Sequence, residues 1–370
     1  MTIFISIPWF LPAYKAGGPI QSVANLINNF TENISYNIFC SDADLNNEPL
    51  QNITKSEWIQ YNDYTKIWYA PQKGLSDTLA TQIEVLKPDV LYIIGLFNWH
   101  FNIVPLLFCK ANKKILSVRG MLHPGALTQK KWKKRIFLQT LKLFGITSKT
   151  IFHATDETEA AFIKNEFGTT ATIRVAGNFA KTIIKNEPLN KTAGTLQMLT
   201  IALISPMKNH LQVLKALMFC DGNITYNIYG PVKDTAYWNL CKEQIALLPK
   251  NIIVQYHGEL LPTNVENILA QHHVFIMPSK SENFGHAIVE ALAAGKPVIT
   301  SNTTPWKELQ HYNAGINVEP TENNIANAVN YFTSLNNDEY KTYAKAAGMY
   351  ADGKQNLTEK INAYRNLFFN

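Results

Sequence analysis

Val274-Phe-Ile-Met-Pro-Ser-Lys-Ser-Glu-Asn-Phe-Gly-His-Ala-Ile-Val-Glu-Ala-Leu-Ala-Ala-Gly-Lys-Pro-Val-Ile-Thr300 is the stretch on which the fold turns. Val274–Met277 is a short apolar run of buried-strand type, and Val298–Thr300 is another. Between them a polar loop carrying Glu282 gives way to helical spacing near Phe284–Gly285, with Ile288, Ala291 and Leu292 on one face. Gly295 ends that helix and Pro297 prevents its continuation. Strand, loop, helix and strand in this order are the unit from which a parallel sheet is wound. Glu290 lies on the helix and can point back toward the loop. The amides of the helix N-terminus suit phosphate oxygens. The two carboxylates suit the hydroxyls of a ribose or hexose, because an ionised carboxylate accepts strong hydrogen bonds. Periodicity alone explains the pattern equally well by a solvated Glu282 and a Glu290 that only solubilises its helix.

Moving outward, apolar β-rich runs alternate with helical patterns along the whole chain. In the first half the strands are Ile3–Ile7, Tyr36–Cys40, Lys66–Ala70, Val90–Ile94, Lys114–Val118 and Thr150–His153. Helical spacing falls at Ile20–Phe30, Asp77–Leu86, Phe101–Ala111, Lys130–Phe144 and Glu157–Phe167. A polar stretch, Asn178–Thr195, interrupts the rhythm. The alternation then restarts with strand Met198–Ile204, helix Asn209–Phe219, strand Thr225–Tyr229, helix Thr235–Leu247 and strand Ile252–Tyr256. The pattern predicts an α/β protein of two Rossmann-like, doubly wound domains facing a central cleft, where ligands of this fold bind. The domains are expected at 1–178 and 179–350, with 351–370 a terminal helix.

Composition agrees. A chain of 370 residues accommodates about two domains at roughly 100–200 residues each. No apolar stretch reaches the ~20 residues that span a bilayer, and Met1–Phe10, short and without a basic flank, reads as a first strand. Cys40, Cys109, Cys220 and Cys241 are widely spaced, which points to unrelated thiols in a reducing compartment. A cytoplasmic location is expected.

The net charge is +6, from 34 basic and 28 acidic residues. Lys130, Lys131, Lys133, Lys134, Arg135 and Lys142 account for the entire excess. Trp132, Ile136 and Leu143 are interleaved with them, so Lys130–Phe144 reads as a basic amphipathic helix lying on an anionic membrane surface. The alternative is a helix packed on its own sheet with a solvated basic face. Nucleic acid is excluded as a partner, since no helix-turn-helix or stacking platform accompanies the charge.

Three further features lie after strands. Ile204-Ser-Pro-Met-Lys208 follows one strand, with Pro206 suited to a first helical turn and Lys208 either simply solvated, as exposed lysines usually are, or able to neutralise charge on a leaving diphosphate. Gly17-Gly18-Pro19 precedes the first helix and lets the backbone approach a ligand closely. Arg119-Gly120 ends the strand Lys114–Val118 and leads to His123, while His100 lies in a turn of the wall Asn98–Phe101.

Glu282 and Glu290 with seven residues between them, Asn283-Phe284-Gly285, Ala291–Ile299 and Thr304-Pro305-Trp306 together resemble the family 4 glycosyltransferases. The resemblance covers essentially the whole chain. With its Arg119-Gly120, the chain is most similar to members that build bacterial surface polysaccharides. The resemblance implies a GT-B fold, a retaining and metal-independent hexosyl transfer, and no cofactor besides a nucleotide-diphosphate sugar as co-substrate. It implies that Glu290 binds the donor ribose and Glu282 the transferred sugar, with Asn283, Phe284 and Gly285 presenting backbone amides. Lys208 falls on the phosphate-binding lysine, and Gly17 and Gly18 on a glycine loop facing the donor. Arg119 is expected near the phosphates or the acceptor, with His100 and His123 on the acceptor side. The acceptor is expected to be a lipid-linked sugar or oligosaccharide, used by an enzyme peripheral to the inner face of the cell membrane. The terminal helix is expected to cross back to the first domain. Leu203 stands where similar proteins have an arginine, and Met207 replaces a second lysine. Leucine cannot do the work of a bidentate guanidinium: either another cation reaches the diphosphate, with Arg119 and Lys280 as candidates, or the donor is held differently, or activity is impaired. The other readings are a non-catalytic accessory subunit of the same fold and another activity of that fold, phosphorolysis or sugar-nucleotide epimerisation.

Overall fold

Strand β1 (Thr2–Ser6) sends Ile3 and Ile5 into one apolar cluster and Phe4 into another, so both faces of its sheet must be covered. The structure, a computed structural model that describes residues 1–127, 131–184 and 187–370, meets this demand with helices on both faces. The chain divides into two compact units, Met1–Phe179 together with Leu357–Asn370, and Ala180–Asn356.

In the first unit β1 is followed by β2 (Ser35–Ser41), β3 (Trp58–Asn62), β4 (Thr65–Ala70), β5 (Val90–Ile94), β6 (Lys113–Ser117), β7 (Ile151–Ala154) and β8 (Thr172–Val175). Their order across the sheet is β3-β4-β2-β1-β5-β6-β7-β8, parallel except for the β3–β4 hairpin. Chain order reverses between β1 and β5, the switch point at which a doubly wound sheet opens a crevice beyond its strand ends. Helices Gly18–Asn29 and Leu357–Phe369 cover one face through Ile20, Val23, Tyr364, Leu367 and Phe368. Helices Leu75–Leu86, Lys131–Leu143 and Glu157–Phe167 cover the other through Leu79, Leu138, Leu141 and Ile163. The terminal helix is built into the core. Tyr364 stacks on Phe179 at 5.2 Å, and Lys113 and Arg174 donate to the carbonyls of Phe368 (3.0 Å) and Asn366 (2.7 Å) at its C-terminus.

The second unit holds β9 (Thr195–Ile201), β10 (Asn223–Tyr229), β11 (Ile252–Tyr256), β12 (Val274–Met277), β13 (Val298–Ser301) and β14 (Gly315–Val318). All pairings are parallel in the order β11-β10-β9-β12-β13-β14, so the switch point falls between β9 and β12. Helices His210–Ala216, Thr235–Ala246 and Glu322–Ser334 pack on one face, and His286–Ala293 and Asn337–Lys354 on the other.

Several local expectations need correction. The expected helix Phe101–Ala111 is a π-helical turn, Trp99–Ile103, leading into Val104–Leu107. Here Asn98 Oδ1 accepts the Phe101 amide, Asn102 Oδ1 accepts the Asn98 amide, and Asn102 Nδ2 donates to the Ile94 carbonyl, so side-chain amides replace regular helical bonding. Pro206 sits in a turn ahead of the helix, because Asn209 (φ +65°) breaks the regular path just before His210. The helix Asn337–Lys354, opened by a capping box between Asn336 and Glu339, runs across the expected division at 350. The division falls instead at Asn356/Leu357. Lys130, the first residue of the expected basic helix, lies outside the described residues. Among the described residues no helix is long and apolar enough to cross a membrane.

Candidate active site

The loops that leave β9 and β12 meet beside the switch point of the second unit. After β9, Ile204 pairs with Val232, and a turn closes with the Lys208 amide donating to the Ser205 carbonyl at 3.1 Å. Asn209 Nδ2 then donates to the Pro278 carbonyl (3.2 Å), and the Lys280 amide donates to the Met207 carbonyl (2.9 Å). These two bonds bind one loop to the other and set Lys208 against Glu282. Lys208 Nζ lies 2.5 Å from Glu282 Oε1, with both side chains largely buried. His210 follows, fully buried, and burial first, then the Lys208 charge, hold its imidazole down to about 3. It is neutral at physiological pH, so the positive charge of this corner rests on lysines.

The loop after β12 is pinned from beyond. Trp306 Nε1 donates to the Phe284 carbonyl at 2.6 Å, and the two rings meet edge to face at 5.5 Å. Gly285 has φ +75°, and a Cβ there would meet Ile288 Cδ1 at 3.1 Å and Trp306 Nε1 at 3.4 Å. Only glycine takes this conformation at little cost, and it opens the helix His286–Ala293, where the Ile288 and Val289 amides donate to its carbonyl at 2.9 and 3.2 Å. Glu290 lies on that helix, while Lys181 is ion-paired with Glu266 at 3.2 Å. Burial raises the Glu290 carboxyl to about 7, with Lys181 lowering it and Glu266 adding to the rise. A carboxyl raised in this way is a group whose charge a bound ligand can change.

The first-unit residues take other positions. Gly17 (φ +73°) caps the start of the helix Gly18–Asn29 after the loop that follows β1, and among the described residues nothing beyond its chain neighbours and its own helix backbone lies within 4 Å of where its Cβ would be. His100, in the π-helical turn after β5, has its Nδ1 2.7 Å from the hydroxyl of Ser76 on the helix Leu75–Leu86. His123 closes its own turn, Nδ1 accepting the Gly125 amide at 3.1 Å with the ring edge-on to Phe162. Arg119 (φ +50°) is a structural hub: its guanidinium donates to Asn178 Oδ1 and, at 2.9 Å, to the Tyr92 hydroxyl, and Glu159 holds the Gly120 amide beside it. All of these partners belong to the first unit. Thus Lys208, Glu282, Asn283, Phe284 and Gly285 share one corner of the second unit and Glu290 lies on the helix that follows, near Lys181 and Glu266, whereas Arg119 is absorbed in the scaffold of the first. In the basic helix, Lys134 donates to the Ala126 carbonyl (2.6 Å) and Lys142 pairs with Glu166 (2.7 Å). Trp132, Ile136, Leu143 and Phe144 remain exposed beside Lys133 and Arg135.

Sequence reasoning missed Lys181, which lies in the polar stretch read as a linker, and Glu266, on a short helix with no distinguishing period. No sequence signal marks either. Trp306 was legible only through the motif it belongs to.

Residues 182–350, nearly all of the second unit, match the family model of glycosyl transferases group 1. No curated protein sequence matches the chain. Solved structures of the same two-domain α/β fold do. Sucrose-phosphate synthase of Thermosynechococcus elongatus is similar with a TM-score of 0.70 at 17% identity, covering 99% of this chain and 98% of its own. Anabaena Alr3699/HepE, solved in complex with UDP-glucose, is similar at 0.71 and 15%, with 99% of both chains covered. WaaG, a glycosyltransferase involved in lipopolysaccharide biosynthesis, is similar at 0.68 and 11%, covering 100% of this chain and 99% of its own. The fold is therefore the GT-B fold expected from the sequence.

Proposed function

We propose that the chain is a retaining, metal-independent glycosyltransferase of family 4 that moves a sugar from a nucleotide-diphosphate donor to a lipid-linked or oligosaccharide acceptor in surface-polysaccharide synthesis. The observation that carries this reading is the meeting of Lys208 and Glu282 at the switch point of the second unit, beside the helix start at Gly285. The match of residues 182–350, the UDP-glucose complex of HepE and the pathway of WaaG support it. In this reading the diphosphate takes Lys208 from Glu282, and Glu282 turns to the sugar hydroxyls. Glu290 accepts the ribose hydroxyls. The bond from the anomeric carbon to the diphosphate oxygen breaks as the acceptor oxygen bonds to that carbon on the same face. The acceptor proton passes to the departing diphosphate.

The test is binding and turnover of UDP-, GDP-, ADP- and dTDP-sugars by the folded chain. One nucleotide class should bind and release its sugar to an acceptor. No binding to any of them would sink the reading and favour a non-catalytic subunit, with Leu203 as the lesion.

Membrane attachment is assigned to the exposed stripe Trp132, Ile136 and Leu143 with Lys133 and Arg135 beside it. Burying one large apolar side chain is worth about 1.5–3 kcal/mol. The double substitution Trp132→Ser/Ile136→Ser should therefore weaken binding to phosphatidylglycerol vesicles more than tenfold. Sedimentation with vesicles reads this out, and added salt should weaken the wild type too. Unchanged sedimentation of the double variant would remove the helix as the anchor.

A further inference from the structure

We infer that Lys233 and Lys280 supply the positive charge that Leu203 does not, so that the donor diphosphate is held by three lysines on three neighbouring loops. The inference rests on the nucleotide-diphosphate reading above and names which residues of this chain complete that site.

β9 lies between β10 and β12, so the loop carrying Ile204–Lys208 is flanked by the loops that follow those two strands. Each flanking loop is fastened to it through the backbone of a lysine. On one side the Lys233 amide donates to the Ile204 carbonyl at 3.2 Å, next to Leu203. On the other, the Lys280 amide donates to the Met207 carbonyl at 2.9 Å, next to Lys208. The two α-carbons are thus fixed at either end of the turn that holds Lys208. Both side chains are exposed, and among the described residues neither has an ion pair.

The charges around them are otherwise committed. Lys208 faces Glu282 at 2.5 Å, and His210 is buried and neutral. Asp234, the acidic neighbour of Lys233, accepts the Tyr237 amide at 2.9 Å as the cap of its helix. A diphosphate arriving at this turn therefore meets a backbone that carries two exposed lysines on flexible stems, besides the Lys208 it must take from Glu282. A lysine is a point charge on a flexible stem, and two of them on opposite sides can replace the charge of one guanidinium without its bidentate geometry. The expected outcome is a site that discriminates by charge, preferring a nucleoside diphosphate over the monophosphate.

Calorimetric titration with UDP, GDP and ADP, and with the matching monophosphates, tests this on the full chain. Lys233→Gln and Lys280→Gln should each weaken binding of the preferred diphosphate about fivefold, near the upper end for an exposed charge pair. Each should alter monophosphate binding less than about twofold, and the double variant should lose about twentyfold on the diphosphate. Lys242→Gln, an exposed lysine on the helix Thr235–Ala246, should change nothing. Diphosphate affinity that withstands both changes yet collapses in Lys208→Ala would overturn the inference and leave the donor reading standing. Absence of nucleotide binding by the wild type would overturn the donor reading and the inference with it.

Discussion

Lys208→Ala should lower the rate of sugar transfer about 100- to 1,000-fold, the range for removing one preorganised charge from a site of developing negative charge. The variant loses more than a cation. Glu282 keeps its place against the turn, now without the ammonium that lies 2.5 Å away in the wild type. A diphosphate would then meet a carboxylate where it needs a lysine. The loss should therefore appear in donor binding as well as in kcat, and Lys208→Arg should recover part of both. The double variant Lys208→Ala/Glu282→Gln should regain donor binding relative to Lys208→Ala, because the repulsion is gone, while turnover stays low. Steady-state kinetics on the three variants beside wild type decides the matter. A rate within threefold of wild type for Lys208→Ala would exclude the lysine from the transfer step.

Donor affinity should rise about tenfold between about pH 6 and about pH 8 and then level off. Burial raises Glu290 to about 7, so below that pH the carboxyl is mainly neutral and above it mainly ionised. Hydroxyl groups bind the ionised form more strongly, so a ligand must displace a proton at low pH and none at high pH. One pH unit below the pKa weakens binding by about 1.4 kcal/mol. The same sign applies to stability. A carboxyl raised in the folded state favours folding less as pH climbs from the ordinary carboxylate range through about 7, so Glu290→Gln should be the more stable protein at alkaline pH. In that variant the pH dependence of donor binding should flatten and affinity at about pH 8 should fall at least tenfold. Calorimetry in buffers of different ionisation heat would also register the released proton. A slope that survives in Glu290→Gln would assign it to another group.

Much of this was readable from residue order because both signals are local. Gly295 and Pro297 stop a helix wherever they stand, and Val90–Ile94 and Val274–Met277 are apolar throughout because both faces of a parallel strand are covered. What escaped depends on partners distant in sequence. β3 carries the exposed Gln60 and Tyr61, and is a strand only because β4 pairs with it. β8 and β14 are four-residue elements, β8 at the sheet edge and β14 opening on a glycine. The site shows the same split. The spacing of Glu282 and Glu290 and the position of Lys208 were visible in the string. The scaffold role of Arg119 was not, since Asn178 and Tyr92 lie far from it in sequence. Nor could any pattern reveal that Lys181 and Glu266 tune Glu290.

The placement of the helix Leu357–Phe369 has a consequence for synthesis. Tyr364, Leu367 and Phe368 fill the same cluster as Phe30, Tyr36, Tyr92 and Phe179, yet they leave the ribosome after all of Ala180–Asn356. The first unit to emerge is thus the last to be finished. While the second unit is being translated, the nascent first unit presents an open aromatic face, a surface that invites a holding chaperone or misassembly. A released chain truncated after Asn356 should carry a folded second unit and a first unit that proteases still cut.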